Sequence, residues 1–285
     1  MSAVLGELVD YRVRWKPGGV LPGAYRGTVA GSGNEVRAVV PLSDYPDPRR
    51  LDLRTTLRDP FQRLWVRDFK QTTALRLFVL ADVSASMGYR GVHDRYVELC
   101  RITTSLANSA WKGGDRFGFY AADEQLRSEL ALSARVNRSA ADWLQARLQT
   151  FRPQGRSATG LLQALAELPP KRALVFLISD FRWPAGLLAA LLRGLAHHDV
   201  VPVVLRDPAE CERIPRRGFA RLRDSESGQQ RFVWLRPGLR TQLLAARQAW
   251  SEALEAALHR AGRRPFHVDG AFDPRRLTRY FMETA

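Results

Sequence analysis

Short apolar runs that alternate with amphipathic helical patterns constrain the fold of this chain more than any other feature of its sequence. Four runs read as buried β-strands: LRLFVLAD (75–82), DRFGFYAAD (115–123), RALVFLISD (172–180) and DVVPVVLRD (199–207). Between them lie patterns typical of helices, at 94–112, 137–151, 160–168 and 184–198. This alternation predicts an α/β fold, a doubly wound and mostly parallel sheet with helices on both faces.

The segment before this core has a different composition and a different hydrophobic pattern. Residues 1–48 are rich in Gly and Pro, and YRVRW (11–15) and EVRAVV (35–40) predict short strands between turns. Gly31 and Gly33 are interpreted as a hairpin turn, because no strand leads through them into a helix as in a dinucleotide-binding fingerprint. We therefore divide the chain into a β-rich N-terminal segment, 1–73, and an α/β domain, 74–285.

Further elements of the α/β domain follow from local patterns. QLRSEL (125–130) is predicted to be the hairpin partner of the 115–123 strand. The C-terminal part predicts two strands across a Glu-Ser-Gly turn in 218–235, a long helix over 239–262, a short strand at 265–268 and a last helix over 274–285. Gly262 marks the expected end of the long helix.

Composition and segment character indicate a cytoplasmic protein without stable membrane insertion. The chain has 285 residues, 45% hydrophobic and 26% charged, which is ordinary for a soluble globular protein. Glu7 and Asp10 stand where a signal peptide needs a basic start and an apolar run. No stretch reaches the roughly 18 unbroken apolar residues of a membrane span. Cys100 and Cys211 lie too far apart for a disulfide or zinc motif.

The net charge of +15 raises the question of nucleic acid. Of the 44 basic residues, 40 are Arg, and they are spread along the chain with no recognisable RNA- or DNA-binding motif. A basic face for an acidic protein partner explains the charge equally well, and so do solvated arginines on helix faces. We therefore do not expect a nucleic-acid partner, and nucleic-acid binding is the weakest functional hypothesis.

Hard oxygen donors cluster where the predicted strands end. Asp82, Ser84 and Ser86 follow the strand 75–82, and Asp180 follows the strand 172–180. In an open α/β sheet, ligands bind beyond the carboxyl ends of the strands. The loop GRSATG (155–160) adds two hydroxyls, those of Ser157 and Thr159. Carboxylates and hydroxyls without Cys or His suit Mg²⁺ or Mn²⁺.

Catalytic explanations fit these loops less well. A phosphoryl-transfer site of the Asp-x-Asp type needs a second acid two residues after Asp82, where Ser84 stands. A serine hydrolase elbow reads Gly-x-Ser-x-Gly and needs a His partner, whereas DVSASMG lacks the first Gly. None of the five His residues is placed as an obvious base. A helix cap or turn built from Asp and Ser is the plain structural alternative.

DVSAS (82–86), GRSATG and ISD (178–180) together resemble the metal-ion-dependent adhesion site of von Willebrand factor A domains. The resemblance spans about 74–207 and implies a metal bound by residues of three loops. The second loop of the family usually reads Gly-Gly-Thr-x-x-Gly, which places Ser157 on the threonine with Thr159 as the adjacent alternative. The full implied set of metal ligands is Asp82, Ser84, Ser86, Ser157, Thr159 and Asp180.

The stretch DYPDPRRLDLRTTLRDPFQRLWVRDF (44–69) resembles the segment that precedes the A domain in the DUF58 family. The corresponding features are Arg50, Asp52, Arg58 and the strand-like LWVRDF. Leu53 and Leu57 depart from the family's usual Trp and Ala. Many members carry N-terminal membrane helices, whereas this chain is similar to the short soluble kind encoded with MoxR-type AAA+ ATPases. Its size and layout are similar to MxaS-like members linked to methanol dehydrogenase maturation.

The resemblance implies a binding protein rather than an enzyme. Family members hold Mg²⁺ (or Mn²⁺) largely through serine hydroxyls, so the ion can accept an acidic side chain of another protein. The expected function is a metal-dependent adaptor between a MoxR-type AAA+ ATPase and a client enzyme, with methanol dehydrogenase as the candidate client, during maturation or cofactor or metal insertion. The chain has no Gly-x-x-x-x-Gly-Lys-Ser/Thr loop, so ATP hydrolysis would be the partner's. A Mg²⁺-dependent phosphohydrolase on the same loops is the enzymatic alternative.

Overall fold

The computed structural model describes residues 8–13, 15, 25–31, 35–207, 218–223, 230–235 and 237–284. It separates into two compact units. The smaller unit comprises the described residues of 14–75 together with 113–115. The larger unit comprises those of 1–13, 76–112 and 116–285.

The described residues of the smaller unit form an antiparallel sheet, a short α-helix and a 3₁₀ turn over Pro48–Arg50. Its elements are β1 (Tyr25–Gly31), β2 (Glu35–Pro41), α1 (Leu53–Arg58) and β3 (Trp65–Thr73). Strand β3 lies between β1 and β2 and pairs antiparallel with both. The buried Asp52 caps α1 by accepting the Thr55 N–H at 3.0 Å, and it forms an ion pair with Arg67 of β3 at 2.7 Å. This pair fixes the start of α1 against β3.

The larger unit contains the α/β sheet. Its strands are β4 (Arg76–Asp82), β5 (Arg116–Ala122), β6 (Leu132–Arg135), β7 (Leu174–Ser179), β8 (Asp199–Arg206), β9 (Gly218–Arg223), β10 (Gln230–Leu235) and β11 (Phe266–Asp269). Among the described residues, six of them form one sheet in the order β11-β8-β7-β4-β5-β6. All neighbours in it are parallel except β5 and β6, whereas β9 and β10 form a separate antiparallel pair. The mostly parallel sheet with helices confirms the predicted fold class.

Helices cover both faces of this sheet. They are α2 (Arg95–Lys112), α3 (Ala140–Thr150), α4 (Leu161–Ala164), α5 (Ala185–Gly194), α6 (Pro237–Arg260) and α7 (Pro274–Thr284). Leu161, Leu191 and Leu258, from α4, α5 and α6, pack in one core with alternate residues of β4 and β7. On the opposite face, the ring of Phe281 in α7 meets that of Phe176 at 6.0 Å between centroids. No helix of the described part of the chain is long and apolar enough to cross a membrane.

Strand β4 lies at the centre of the sheet because both its faces are apolar. Leu77, Val79, Leu80 and Ala81 are completely buried, and so is Asp82 at its end. Such a strand needs partners on both edges and helices on both faces, and it has them in β5 and β7. The loop after Asp82 is therefore anchored on a deeply buried strand.

The predicted hairpin partner of the 115–123 strand is wrong. Residues 125–130 make one isolated bridge, between Ala122 and Leu126, and then a 3₁₀ turn over Ser128–Leu130. The antiparallel partner of β5 is instead β6, at Leu132–Arg135. The side chain of Leu130 is buried from within the turn, so its apolar character does not require a strand.

Two N-terminal predictions are also wrong. The described residues 8–13 and 15, which include most of YRVRW, form no strand. Val9 and Tyr11 are buried, but the Val9 N–H donates to the Ser109 hydroxyl at 2.9 Å rather than to a neighbouring strand. The segment around Gly31 does not join paired strands, because β3 separates β1 from β2. Gly33 lies outside the described residues, as does the predicted Glu-Ser-Gly turn between β9 and β10.

Candidate functional site

Each of four parallel strands ends in a buried aspartate. Asp82 closes β4, and Asp123, Asp180 and Asp207 immediately follow β5, β7 and β8. All four are at most 1% exposed. A buried carboxylate requires hydrogen-bond donors or a counter-charge, so the partners of these four residues define what this edge of the sheet can do.

Asp82 is held at both oxygens. Its Oδ1 accepts the Ser84 N–H at 2.9 Å. Its Oδ2 accepts the Ser179 hydroxyl at 2.6 Å and the Trp183 indole N–H at 2.9 Å. Burial, and after it the negative charge of Asp180, raise the pKa of the Asp82 carboxyl to about 6. The orientation of the carboxylate is therefore fixed, while its ionised form is costly without an added cation.

Ser84 and Ser86 present a pair of buried hydroxyls beside this carboxylate. Their Oγ atoms lie 3.2 Å apart and hydrogen-bond to each other. A 3₁₀ turn over Ala85–Gly88 follows Ser84, and the Met87 N–H donates to the Ser84 carbonyl at 3.0 Å. The alternation of Asp, Ser and Ser in the sequence thus brings the two hydroxyls side by side.

The second loop is fastened to the first through its backbone. The Ala85 N–H donates to the Gly155 carbonyl at 3.1 Å, and the Gln154 N–H donates to the Val83 carbonyl at 3.1 Å. Gly155 adopts a φ of +84°, which only glycine readily adopts. The Oγ of Ser157 and the Oγ1 of Thr159 lie 3.0 Å apart, with Ser157 half-buried and Thr159 exposed. The two alternative ligands of this loop, Ser157 and Thr159, therefore lie side by side.

Asp180 is paired with an arginine, which sequence reasoning missed. Its Oδ2 accepts from Nη1 of Arg95 at 2.8 Å, and its Oδ1 accepts the Arg182 N–H at 3.1 Å. Arg95 is 4% exposed, and its Nη1 also donates to the Ser86 carbonyl at 3.3 Å. The guanidinium therefore joins the first loop to the third. A signal existed in the sequence, because a cation in the first turn of a helix opposes the helix dipole and needs a local anion.

The other two strand-end aspartates, Asp123 and Asp207, accept hydrogen bonds from residues of neighbouring loops. Asp123 accepts from Nε of Arg127 at 2.9 Å. Asp207 accepts the His93 N–H at 3.2 Å, and a Cβ at Gly91 would lie only 1.6 Å from Asp207 Oδ2. Both carboxylates thus hold neighbouring loop residues in place. The sequence feature that could have identified them is the Asp that ends or follows each of these four parallel strands.

The oxygen donors of these loops fit a hard divalent cation, but Arg95 already neutralises the charge of Asp180. Two oxygens bound at adjacent corners of a Mg²⁺ octahedron lie about 3 Å apart, close to the 3.2 Å between the Ser84 and Ser86 hydroxyls. Within the described residues, no three side chains of His, Cys, Asp or Glu gather to hold a metal ion. A cation here would depend on hydroxyls, and it would share Asp180 with Arg95.

Comparisons with known proteins place the chain. A family model described as "Protein of unknown function DUF58" matches residues 45–253, which include all the strand-end loops described above. The Uncharacterized protein Rv1480 of Mycobacterium tuberculosis (strain ATCC 25618 / H37Rv) is 28% identical over 272 residues, covering 92% of this chain and 79% of the relative. The "Uncharacterized protein in moxR 3'region" of Paracoccus denitrificans is 41% identical over 105 residues, covering 36% of this chain and 97% of the relative.

Among solved structures, the crystal structure of the conserved hypothetical protein BatB from Bacteroides thetaiotaomicron has a TM-score of 0.47 at 14% sequence identity. The similarity covers 74% of this chain and 97% of that chain. The family model, in contrast, matches both the lead-in with Asp52 and the sheet edge with Asp82 and Asp180. The chain belongs to the DUF58 family.

Proposed function

We propose that this DUF58 protein is a non-enzymatic adaptor, which binds an acidic side chain of a partner protein through Mg²⁺ or Mn²⁺ at the carboxyl edge of its sheet. The observation that carries the proposal is the pair of buried hydroxyls, Ser84 and Ser86, beside the fixed carboxylate of Asp82. The resemblance of these loops to a metal-ion-dependent adhesion site in a von Willebrand factor A-like domain supports the proposal.

The residues that would hold the ion lie on three loops. Ser84 and Ser86 would supply neutral oxygens, while Asp82 and Asp180 would supply charge, directly or through water. The second loop would add the hydroxyl of Ser157 or Thr159. A divalent cation bound largely by neutral oxygens keeps enough positive charge to accept a further carboxylate, and Mg²⁺ usually retains exchangeable positions of this kind.

The hydrogen bonds of the site favour binding over catalysis. A serine nucleophile needs a free base within hydrogen-bond reach, whereas the Ser84 hydroxyl contacts Ser86 and the Asp82 carboxylate, which is itself held by other donors. The oxygens of Asp82 already accept three hydrogen bonds, so this carboxylate is oriented by its neighbours rather than presented as a base. A phosphohydrolase would have to rearrange these contacts before it could react.

We further propose a MoxR-type AAA+ ATPase as the partner machine, in the cytoplasm. The support is that a relative, 41% identical over 105 residues, is named for its position in a moxR 3' region. Without a phosphate-binding loop of its own, the chain would act by presenting a client to the ATPase. A client enzyme that matures by cofactor insertion, methanol dehydrogenase among them, is the class that the family resemblance suggests.

The test is capture of the MoxR-type ATPase from the same organism by the purified full chain, in Mg²⁺ and in EDTA. We expect capture in Mg²⁺ and its loss in EDTA. Ser84→Ala is the sharpest variant, because it removes the hydroxyl beside Ser86 and Asp82 while the Ser84 N–H still holds Asp82. It should abolish capture with little loss of stability.

Ser133→Ala is the matched control, since this serine is exposed and lies within the edge strand β6 rather than in a strand-end loop. It should capture the ATPase as the wild type does. Equal capture in Mg²⁺ and EDTA, or capture by Ser84→Ala at the wild-type level, would contradict the metal-dependent adaptor.

A further inference from the structure

Arg95 carries a permanent positive charge into the loop cluster. Its Nη1 lies 2.8 Å from Asp180 Oδ2, and both side chains are almost completely buried. A guanidinium stays protonated in proteins, so this charge is present at every physiological pH. It neutralises one of the two carboxylates that a metal at this site would use.

Arg95 is also well anchored. Besides Asp180, its Nη1 contacts the Ser86 carbonyl at 3.3 Å, and its guanidinium carbon lies 4.9 Å from the centre of the Tyr89 ring. Arg95 starts α2, where the helix dipole disfavours a cation. The pairing with Asp180 therefore compensates an unfavourable location, and Arg95 and Asp180 depend on each other.

We propose that Arg95 is an internal cation that competes with the divalent metal for Asp180 and so sets the metal affinity of the site. The inference rests on the proposed function, because it concerns the same loops. With Arg95 in place, Asp82 and Asp180 together offer a metal one net negative charge instead of two. Metal binding must displace the guanidinium from Asp180 or proceed without that carboxylate, and either course weakens it.

This arrangement makes Arg95 a positioning residue for a weak, exchangeable metal site. A partner's carboxylate supplies the negative charge that Arg95 cancels. The metal and the acidic partner are therefore expected to bind together more tightly than the metal binds alone. Removing Arg95 should uncouple the two, because the metal would then find its second carboxylate within the chain.

The test is calorimetric titration of Mg²⁺ into the full chain, comparing the wild type, Arg95→Met and a control, Arg101→Met. Arg101 lies on the same helix, but its side chain is largely exposed and pairs with Glu98. Substituting an outer-shell partner of a metal ligand changes metal affinity by about 10- to 100-fold, usually as a loss because the partner orients the ligand. Arg95 instead competes with the metal for Asp180, so we expect Arg95→Met to bind Mg²⁺ more tightly by a factor of this size and Arg101→Met to bind as the wild type does.

Arg95→Lys is a second variant, which keeps the inference testable if Arg95→Met fails to fold. It keeps the charge but not the planar fork, so it should hold Asp180 less firmly and bind Mg²⁺ a few-fold more tightly than the wild type. If the wild type binds Mg²⁺ and the Arg95 variants that fold bind it equally or more weakly, this inference is wrong and the adaptor stands. If only the variants bind Mg²⁺, Arg95 replaces the metal and the metal-dependent adaptor is wrong. Absence of Mg²⁺ binding in every protein contradicts both.

Discussion

Breaking the buried ion pair between Arg95 and Asp180 should cost much of the stability of the larger unit. Both side chains are at most 4% exposed, and their atoms are 2.8 Å apart. Removing one partner of such a pair costs about 3–5 kcal/mol, because the other charge stays buried without compensation. In Arg95→Met the uncompensated charge is that of Asp180, which already repels Asp82. We therefore expect a loss of about 4 kcal/mol in the free energy of unfolding.

The double variant Arg95→Met/Asp180→Asn separates this effect from lost packing. It removes both charges, and the asparagine oxygen can still accept the Arg182 N–H that Asp180 accepts at 3.1 Å. The double variant should therefore be more stable than Arg95→Met, with a coupling energy of about 2 kcal/mol. The measurement is urea unfolding in EDTA at pH 7, followed by tryptophan fluorescence. Additive effects of the two substitutions, or a loss below about 1 kcal/mol in Arg95→Met, would refute the reasoning.

Three further predictions concern pH, backbone packing and catalysis. Burial, and then the charges around it, lower the pKa of His198 to about 4, and its Nδ1 accepts the Ala173 N–H at 3.3 Å. The neutral imidazole is favoured in the fold, so stability should fall by about 2 kcal/mol as pH drops from 6.5 to 4; His198→Gln should lose this pH dependence, and equal slopes in both proteins would contradict it. A Cβ at Gly160 would lie 2.3 Å from the backbone carbon of Gln125, whereas Gly186 has open space around it and no positive φ. Gly160→Ala should therefore destabilise by about 1–3 kcal/mol in thermal unfolding, and a cost no greater than that of Gly186→Ala would show that the loop moves to accommodate the methyl group. A screen of phosphate esters with Mg²⁺ and Mn²⁺ should show no turnover, and turnover lost in Ser84→Ala would favour the phosphohydrolase.

The parts of the fold that the sequence predicts are those whose signal is local and strong. Strands β4 and β7 appear as unbroken apolar runs because both faces of a central parallel strand are buried. The segment 125–130 was mispredicted because a 3₁₀ turn with the buried Leu130 imitates the apolar spacing of a short strand. Around Tyr11, alternation reflects one buried face, but the backbone there bonds to side chains instead of a sheet.

The candidate site divides in the same way. The first-loop pattern of Asp82, Ser84 and Ser86 is local, and a single loop brings its hydroxyls together. The ion pair between Arg95 and Asp180 joins residues 85 positions apart. The position of Arg95 in the first turn of a helix indicates that it needs an anion, but the sequence does not identify Asp180 as that anion. Such a pair depends on how α2 starts relative to the end of β7, which only the assembled sheet determines.

The most direct test of the central claim is a crystal structure of the protein grown with Mn²⁺, examined at the manganese absorption edge. The account predicts one anomalous peak at the carboxyl edge of the sheet, within bonding distance of the Ser84 and Ser86 hydroxyls. A protein crystallised as Ser84→Ala should lose that peak. Anomalous density elsewhere, or a loop cluster in which only Arg95 meets Asp180 at saturating Mn²⁺, would contradict metal binding at this site.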